Sequence, residues 1–150
     1  MDSWLPHSRF IHEFGDLSVD GLGEARSEAS YPPRWHDRGL RPAAGPDAPV
    51  SSDNPLIGLH VMVTRKTDRG RVLGSSETLP LGEALRAFTA NGAYSAFAEG
   101  DRGTLEVGML ADIAIIDQDL FAVDPAELLE AKIDLTLIGG EVRYDRLGEL

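Results

Sequence analysis

The chain has 150 residues, no cysteine and a formal net charge of −11 at pH 7, from 14 basic against 25 acidic side chains. Disulfides, thiolate metal sites and a cysteine nucleophile are thereby excluded, and so acidic a surface repels phosphate backbones and anionic membranes. Hydrophobic residues at 42% fit a globular protein, while no apolar run approaches the roughly 20 residues that span a bilayer.

Met1 to Pro6 lacks the basic and apolar regions of a secretory signal, which points to the cytoplasm. An apolar patch follows at Trp4, Leu5, Phe10, Ile11 and Phe14, interrupted by His7 and His12. Leu22 to Ser30 has helical character, and Tyr31-Pro32-Pro33-Arg34-Trp35 breaks regular structure because each proline removes a donor and restricts its predecessor. Arg41 to Asn54 reads as a loop, with Pro42, Pro46 and Pro49 among small and acidic residues.

Pro55 to Arg65 is apolar and fits either a strand or a helix; Pro55 at a first turn, capped by Asn54 or Asp53, favours the helix. The polar run Lys66 to Thr78 reads as an exposed loop. Leu81, Ala84, Leu85 and Phe88, then Ala93 and Phe97, trace one apolar helical face, with Asn91-Gly92 as its weak point. Asp112 to Asp117 reads as a strand buried on both faces. Asp124 caps a short helix begun by Pro125, and Gly139-Gly140 between apolar runs marks a hairpin that pairs with the strand near Ala111–Asp117.

The glycines of Gly103 to Gly108 precede a strand and no Lys-Ser/Thr pair follows, so they are no phosphate loop. Asp112, Asp117 and Asp119 lack the spacing of a calcium loop and read as solvated strand ends. His36 reads as structural, and His60, within the apolar run, as a satisfied and partly buried histidine. The spacing of His7 and His12 misses one helix face, which argues against a paired metal site.

The succession of these pieces resembles the C-terminal end of a metal-dependent amidohydrolase, in the branch called amidohydrolase family three. Phe10 to Asp16, Leu22-Gly23 and Arg26 to Trp35 are similar to that family's segment around the seventh barrel strand and the following helix. Gly45-Pro46-Asp47-Ala48-Pro49-Val50 falls where the family ends its eighth strand, with Pro46 in place of a small polar residue. Pro55 to Arg65, the long helix and the terminal hairpin follow in the family's order.

The resemblance implies a (β/α)₈ TIM barrel with one or two divalent metals, zinc foremost, at its C-terminal face. Metal-bound water becomes hydroxide at neutral pH, and an aspartate ending the eighth strand moves the proton during C–N cleavage. Asp47 corresponds to that aspartate, at once catalytic residue and metal ligand; without the resemblance it would read as a turn residue in a proline-rich loop. His12 and Arg65 are the candidate substrate contacts, although a surface histidine and a partner for a helix carboxylate fit them as well.

A complete barrel needs about 250 residues, and the chain has no His-x-His pair. The expected architecture is therefore the last two strand–helix units of the barrel over residues 1–100, with part of a small β-sandwich over residues 101–150. Alone, such a chain is expected to hold no metal and to be inactive toward the small amide-like substrate of a complete enzyme. It would pair with the missing N-terminal barrel part or form a homo-oligomer. The alternative is a non-catalytic remnant that assembles through exposed strand edges.

Overall fold

The computed structural model describes residues 9–25, 27 and 39–149. His7, His36, the Tyr31–Trp35 break and much of Leu22–Ser30 lie outside them. The elements with bounds inside the described residues are the helices α1 (Arg9–Leu22), α2 (Pro55–Thr64), α3 (Leu81–Phe88) and α4 (Ala90–Ser95) and the strands β1 (Ile113–Ile116), β2 (Ile133–Ile138) and β3 (Glu141–Asp145). Among these residues no helix is long and apolar enough to cross a membrane.

The helix reading of the apolar run at Pro55 holds. Asn54 accepts the Leu56 amide at 3.0 Å through Oδ1, and Pro55 occupies the first turn, where no backbone donor is required. Its apolar residues surround the axis instead of tracing one stripe, as expected of a helix enclosed by neighbours. Leu56, Leu59 and Met62 enter a core with Ala84 and Ala87 of α3 and with Leu120 and Leu128. Val61 enters a second cluster with Ile11 of α1 and Leu73. At Gly58 a Cβ would stand 2.5 Å from Phe88 Cζ, so the glycine admits the Phe88 ring against α2.

Lys66 to Thr78 departs from the exposed loop expected. Lys66 and Val72 form an isolated antiparallel bridge, and Leu73 and Thr67 are buried. The charged residues around Leu73 mask in the sequence an apolar anchor that the fold turns inward. The long helix breaks at Thr89 (φ −121°, ψ −93°), two residues before the Asn91-Gly92 pair. The Thr89 hydroxyl donates to the Leu85 carbonyl at 2.8 Å, a local bond that competes with continuing the helix.

The sheet is antiparallel in the order β1-β2-β3, with Ile113 opposite Leu137 and Ile115 opposite Leu135. Gly139 and Gly140 have φ of 60° and 83°, the pair of positive values that the expected two-residue turn requires. β1 is less enclosed than expected: Ile116 packs against the first core, but Ala114 and Ile115 are exposed, Ile115 at 47%. Burial on both faces belongs to a parallel sheet between helix layers, and this strand lies at the edge of an antiparallel one. The short helix after Asp124 is a 3-10 turn, Glu127–Leu129. Asp124 Oδ1 accepts the Ala126 amide at 2.8 Å while Glu127 Oε2 accepts the Asp124 amide at 3.1 Å, a reciprocal cap.

The eighth barrel strand expected to end near Asp47 does not form a strand here. Phe10 to Asp16 lies within α1, and residues 40–47 run without a ladder. Pro42 and Pro46 supply no N–H to a neighbouring strand, which disfavours regular pairing there.

Candidate functional site

Asp47 lies at the tip of residues 40–54, with an exposed side chain and a left-handed backbone (φ 56°). Aspartate tolerates this conformation better than most residues because its short polar group bonds locally. Its carbonyl accepts the Val50 amide at 2.8 Å and the Ser51 amide at 3.4 Å, closing a turn. The buried Ser51 hydroxyl donates to the Pro46 carbonyl across the neck of that turn.

Both limbs leading to the tip are anchored. On the incoming limb the Ala44 amide donates to the Ala87 carbonyl at 2.8 Å, and Asn91 Nδ2 donates to the Pro42 carbonyl at 3.0 Å. The Arg41 guanidinium sits 5.0 Å over the Tyr94 ring. On the outgoing limb the guanidinium of Arg9, fully buried, donates from Nη1 to the carbonyls of Ser52 and Asn54. Arg9 Nη2 pairs with Glu13 Oε1 at 3.0 Å.

The other two candidates lie where α1 meets the end of α2. His12 Nδ1 is 3.5 Å from the Lys66 carbonyl, and its ring meets that of His60 edge to face with centroids 6.1 Å apart. His60 is buried, and its Nδ1 donates to the Pro125 carbonyl at 2.9 Å. A carbonyl can only accept, so that nitrogen carries the proton. Burial pushes the His60 pKa below its ordinary value, the Pro125 bond opposes the shift, and His12 and Lys66 reinforce it. His60 is thus the satisfied, buried histidine expected.

Arg65 is 5% exposed and takes the left-handed C-cap of α2 at φ 58°. Its Nε donates to the Leu73 carbonyl at 2.8 Å, tying the end of α2 to the loop that buries Leu73. The structure therefore brings His12, His60 and Arg65 to one end of α2, and Asp47 sits on a separate loop. Among the described residues, no group of three or more His, Asp or Glu side chains could hold a metal ion. The described residues do not by themselves fit a metal centre. The aspartates at 112, 117 and 119 accept backbone amides from Gly139, Lys132 and Phe121, which accounts for them as turn and strand-end groups.

Arg9 and Ser51 escaped the sequence reading. Arg9 stands four residues before Glu13, a helical ion-pair spacing that was available as a signal. Nothing in the local sequence marks the carbonyls it reaches, more than forty residues away.

The amidohydrolase family pattern matches residues 3–144, and the chain belongs to that family. Among individual relatives, YtcJ of Bacillus subtilis is 33% identical over 134 residues, 85% of this chain and 25% of that protein. The N-substituted formamide deformylase of Arthrobacter pascens is 30% identical over 112 residues, 75% of this chain and 21% of that enzyme. Among solved structures, an uncharacterized metal-dependent hydrolase from Pyrococcus horikoshii superposes with a TM-score of 0.63 at 27% identity, over 83% of this chain and 25% of that one. An adenosine deaminase from Xanthomonas campestris with bound zinc shares the fold, with a TM-score of 0.58 at 18% identity over 96% of this chain and 32% of that one. The chain spans about a quarter of the length of the curated relatives it matches.

Proposed function

We propose that the chain is the part of a carbon–nitrogen hydrolase that supplies the proton-transfer carboxylate, Asp47. The observation that carries this reading is the exposed Asp47 carboxylate on a tight turn whose two limbs are anchored, within the run Gly45-Pro46-Asp47-Ala48-Pro49-Val50. An anchored, solvent-facing carboxylate accepts a proton from an attacking water and returns it to the departing nitrogen. The amide carbon gains the oxygen, and the amine leaves neutral. His12 lies on the α1 side of the molecule and is the proposed substrate contact, whereas Arg65, turned to the Leu73 carbonyl, holds its own loop.

The described residues offer the family's metal no ligand set among themselves. The remaining ligands would come from the rest of the enzyme, so the chain alone should show no metal-dependent amide hydrolysis. Hydrolysis by the isolated chain that is lost on chelation would overturn that expectation.

The role of Asp47 is tested in the enzyme restored by adding the missing barrel part, with turnover of an N-substituted amide as the assay. Asp47→Asn keeps the shape, removes the base and should lower turnover by about two to four orders of magnitude. The melting temperature should barely move, because Asp47 is exposed. Unchanged turnover would reduce Asp47 to a turn residue.

A second reading is an assembly module that pairs with another chain. It is favoured by the open sheet, where Ile115, Ile138, Val142 and Tyr144 are all exposed.

A further inference from the structure

We propose that Arg9 is a positioning residue for Asp47, a buried guanidinium that holds the outgoing limb of the Asp47 loop to α1. The proposal rests on the reading of Asp47 as the proton carrier.

Arginine is almost never fully buried unless paired, because the guanidinium loses its water. Glu13 at 3.0 Å meets the charge, and a pair on one helix would need nothing further. Yet Nη1 turns away from α1 and donates to two backbone carbonyls, Ser52 and Asn54, on a segment without a ladder. An aliphatic side chain of the same bulk would fill the space and leave both carbonyls without these donors. What the guanidinium adds over such a filler is the attachment of the limb.

The attachment reaches Asp47 by a short path. Ser52 follows Ser51, whose hydroxyl donates to the carbonyl of Pro46, the residue before Asp47. The Ser51 amide also donates to the Asp47 carbonyl at 3.4 Å. Displacing Ser52 therefore pulls on both sides of the turn that presents the carboxylate. The bonds that tie the incoming limb to Ala87 and Asn91 reach it at Ala44 and Pro42, on the far side of the turn from Ser52.

The test is hydrogen exchange of the chain itself, comparing a peptide over residues 46–54 with one over the 133–145 hairpin. Arg9→Met should speed exchange of the first by about tenfold or more, with the hairpin unchanged, since a charged hydrogen bond to the loop is lost while volume is kept. Arg9→Lys keeps the charge but not the planar fork, so it should restore part of the protection at 46–54. Equal acceleration of both peptides would show a packing role only, and no acceleration would show that the limb stands without Arg9; either result overturns the proposal. If the methionine variant does not fold, the lysine variant decides: a selective rise at 46–54 supports the clamp, while unchanged or uniform exchange overturns it. Exchange does not depend on activity, so loosening of the loop combined with unchanged turnover of Asp47→Asn would sink the catalytic reading and leave the clamp standing.

Discussion

The three-stranded sheet and the loop of residues 40–54 meet the same requirement, partners for backbone polar groups, by opposite means. In the sheet the partners are neighbouring backbones, Ile113 with Leu137 and Ile138 with Glu141, joined through a two-glycine turn. In the loop they are side chains reaching from distant helices: Arg9 to Ser52 and Asn54, and Asn91 to Pro42. A ladder distributes its bonds over many residues and tolerates most side-chain changes. A loop tied by two or three side chains concentrates its order in them, and it can hold a carboxylate in solvent without committing it to a ladder. The contrast predicts that helical-half substitutions act through single anchors, while sheet substitutions matter chiefly at the turn.

The largest effect should come from Leu73→Ala, which empties a fully buried position where α1, α2 and the 66–72 bridge converge. A loss of about 2–5 kcal/mol is expected, read by denaturant unfolding; a loss below about 1 kcal/mol would make the loop a surface appendage, as its charged sequence suggests. In the sheet, Gly140→Ala forces an L residue to a φ of 83° and should cost about 1–2 kcal/mol. If it proves neutral, the hairpin has other turn geometries open to it and the ladder is less specified than its register indicates.

Asn54→Ala removes the cap of α2 and should cost about 1 kcal/mol. That loss should be the same whether or not the sheet is perturbed, and a double variant with Gly140→Ala should be additive if the two regions are independent. The smallest effect is set by pH. The folded pKa of His60 lies below its unfolded value, so the folded state binds fewer protons and the neutral ring is the one that fits. Its contribution is therefore complete above the unfolded value of about 6.5 and is lost as pH falls toward the depressed folded value. Melting temperatures across that window should fall more steeply in the wild type than in His60→Gln, and parallel slopes would remove His60 from the account.

Much of the sheet was readable because its signals are local. Gly139-Gly140 requires positive φ, and the apolar runs beside it have nowhere else to pair. The cap of α2 was equally local, with Asn54 immediately before Pro55. The failures lie in side-chain contacts, most of them between residues distant in the chain. Leu73 sits in a charged run, so its burial becomes visible only when Ile11 and Val61 stand beside it. The break at Thr89 depends on a side-chain bond to Leu85 that propensity scales do not carry. Asp47 could be singled out by its flanking residues, but what holds it could not, since Arg9 and Asn91 lie on opposite sides of it in the chain. Arg65 was legible as a cation near a helix end and not as the tether of Leu73, because its acceptor is a backbone atom.

The exposed apolar residues of the sheet give the acidity of the chain a second meaning. Ile115, Ile138 and Val142 would adhere to like surfaces on meeting them. At neutral pH a net charge of −11 keeps the molecules apart before that contact is made. The surplus of carboxylates thus acts as a colloidal shield for the exposed strands. Toward the isoelectric point near 4.6 the net charge, and with it that repulsion, vanishes, so there the exposed strands meet unopposed.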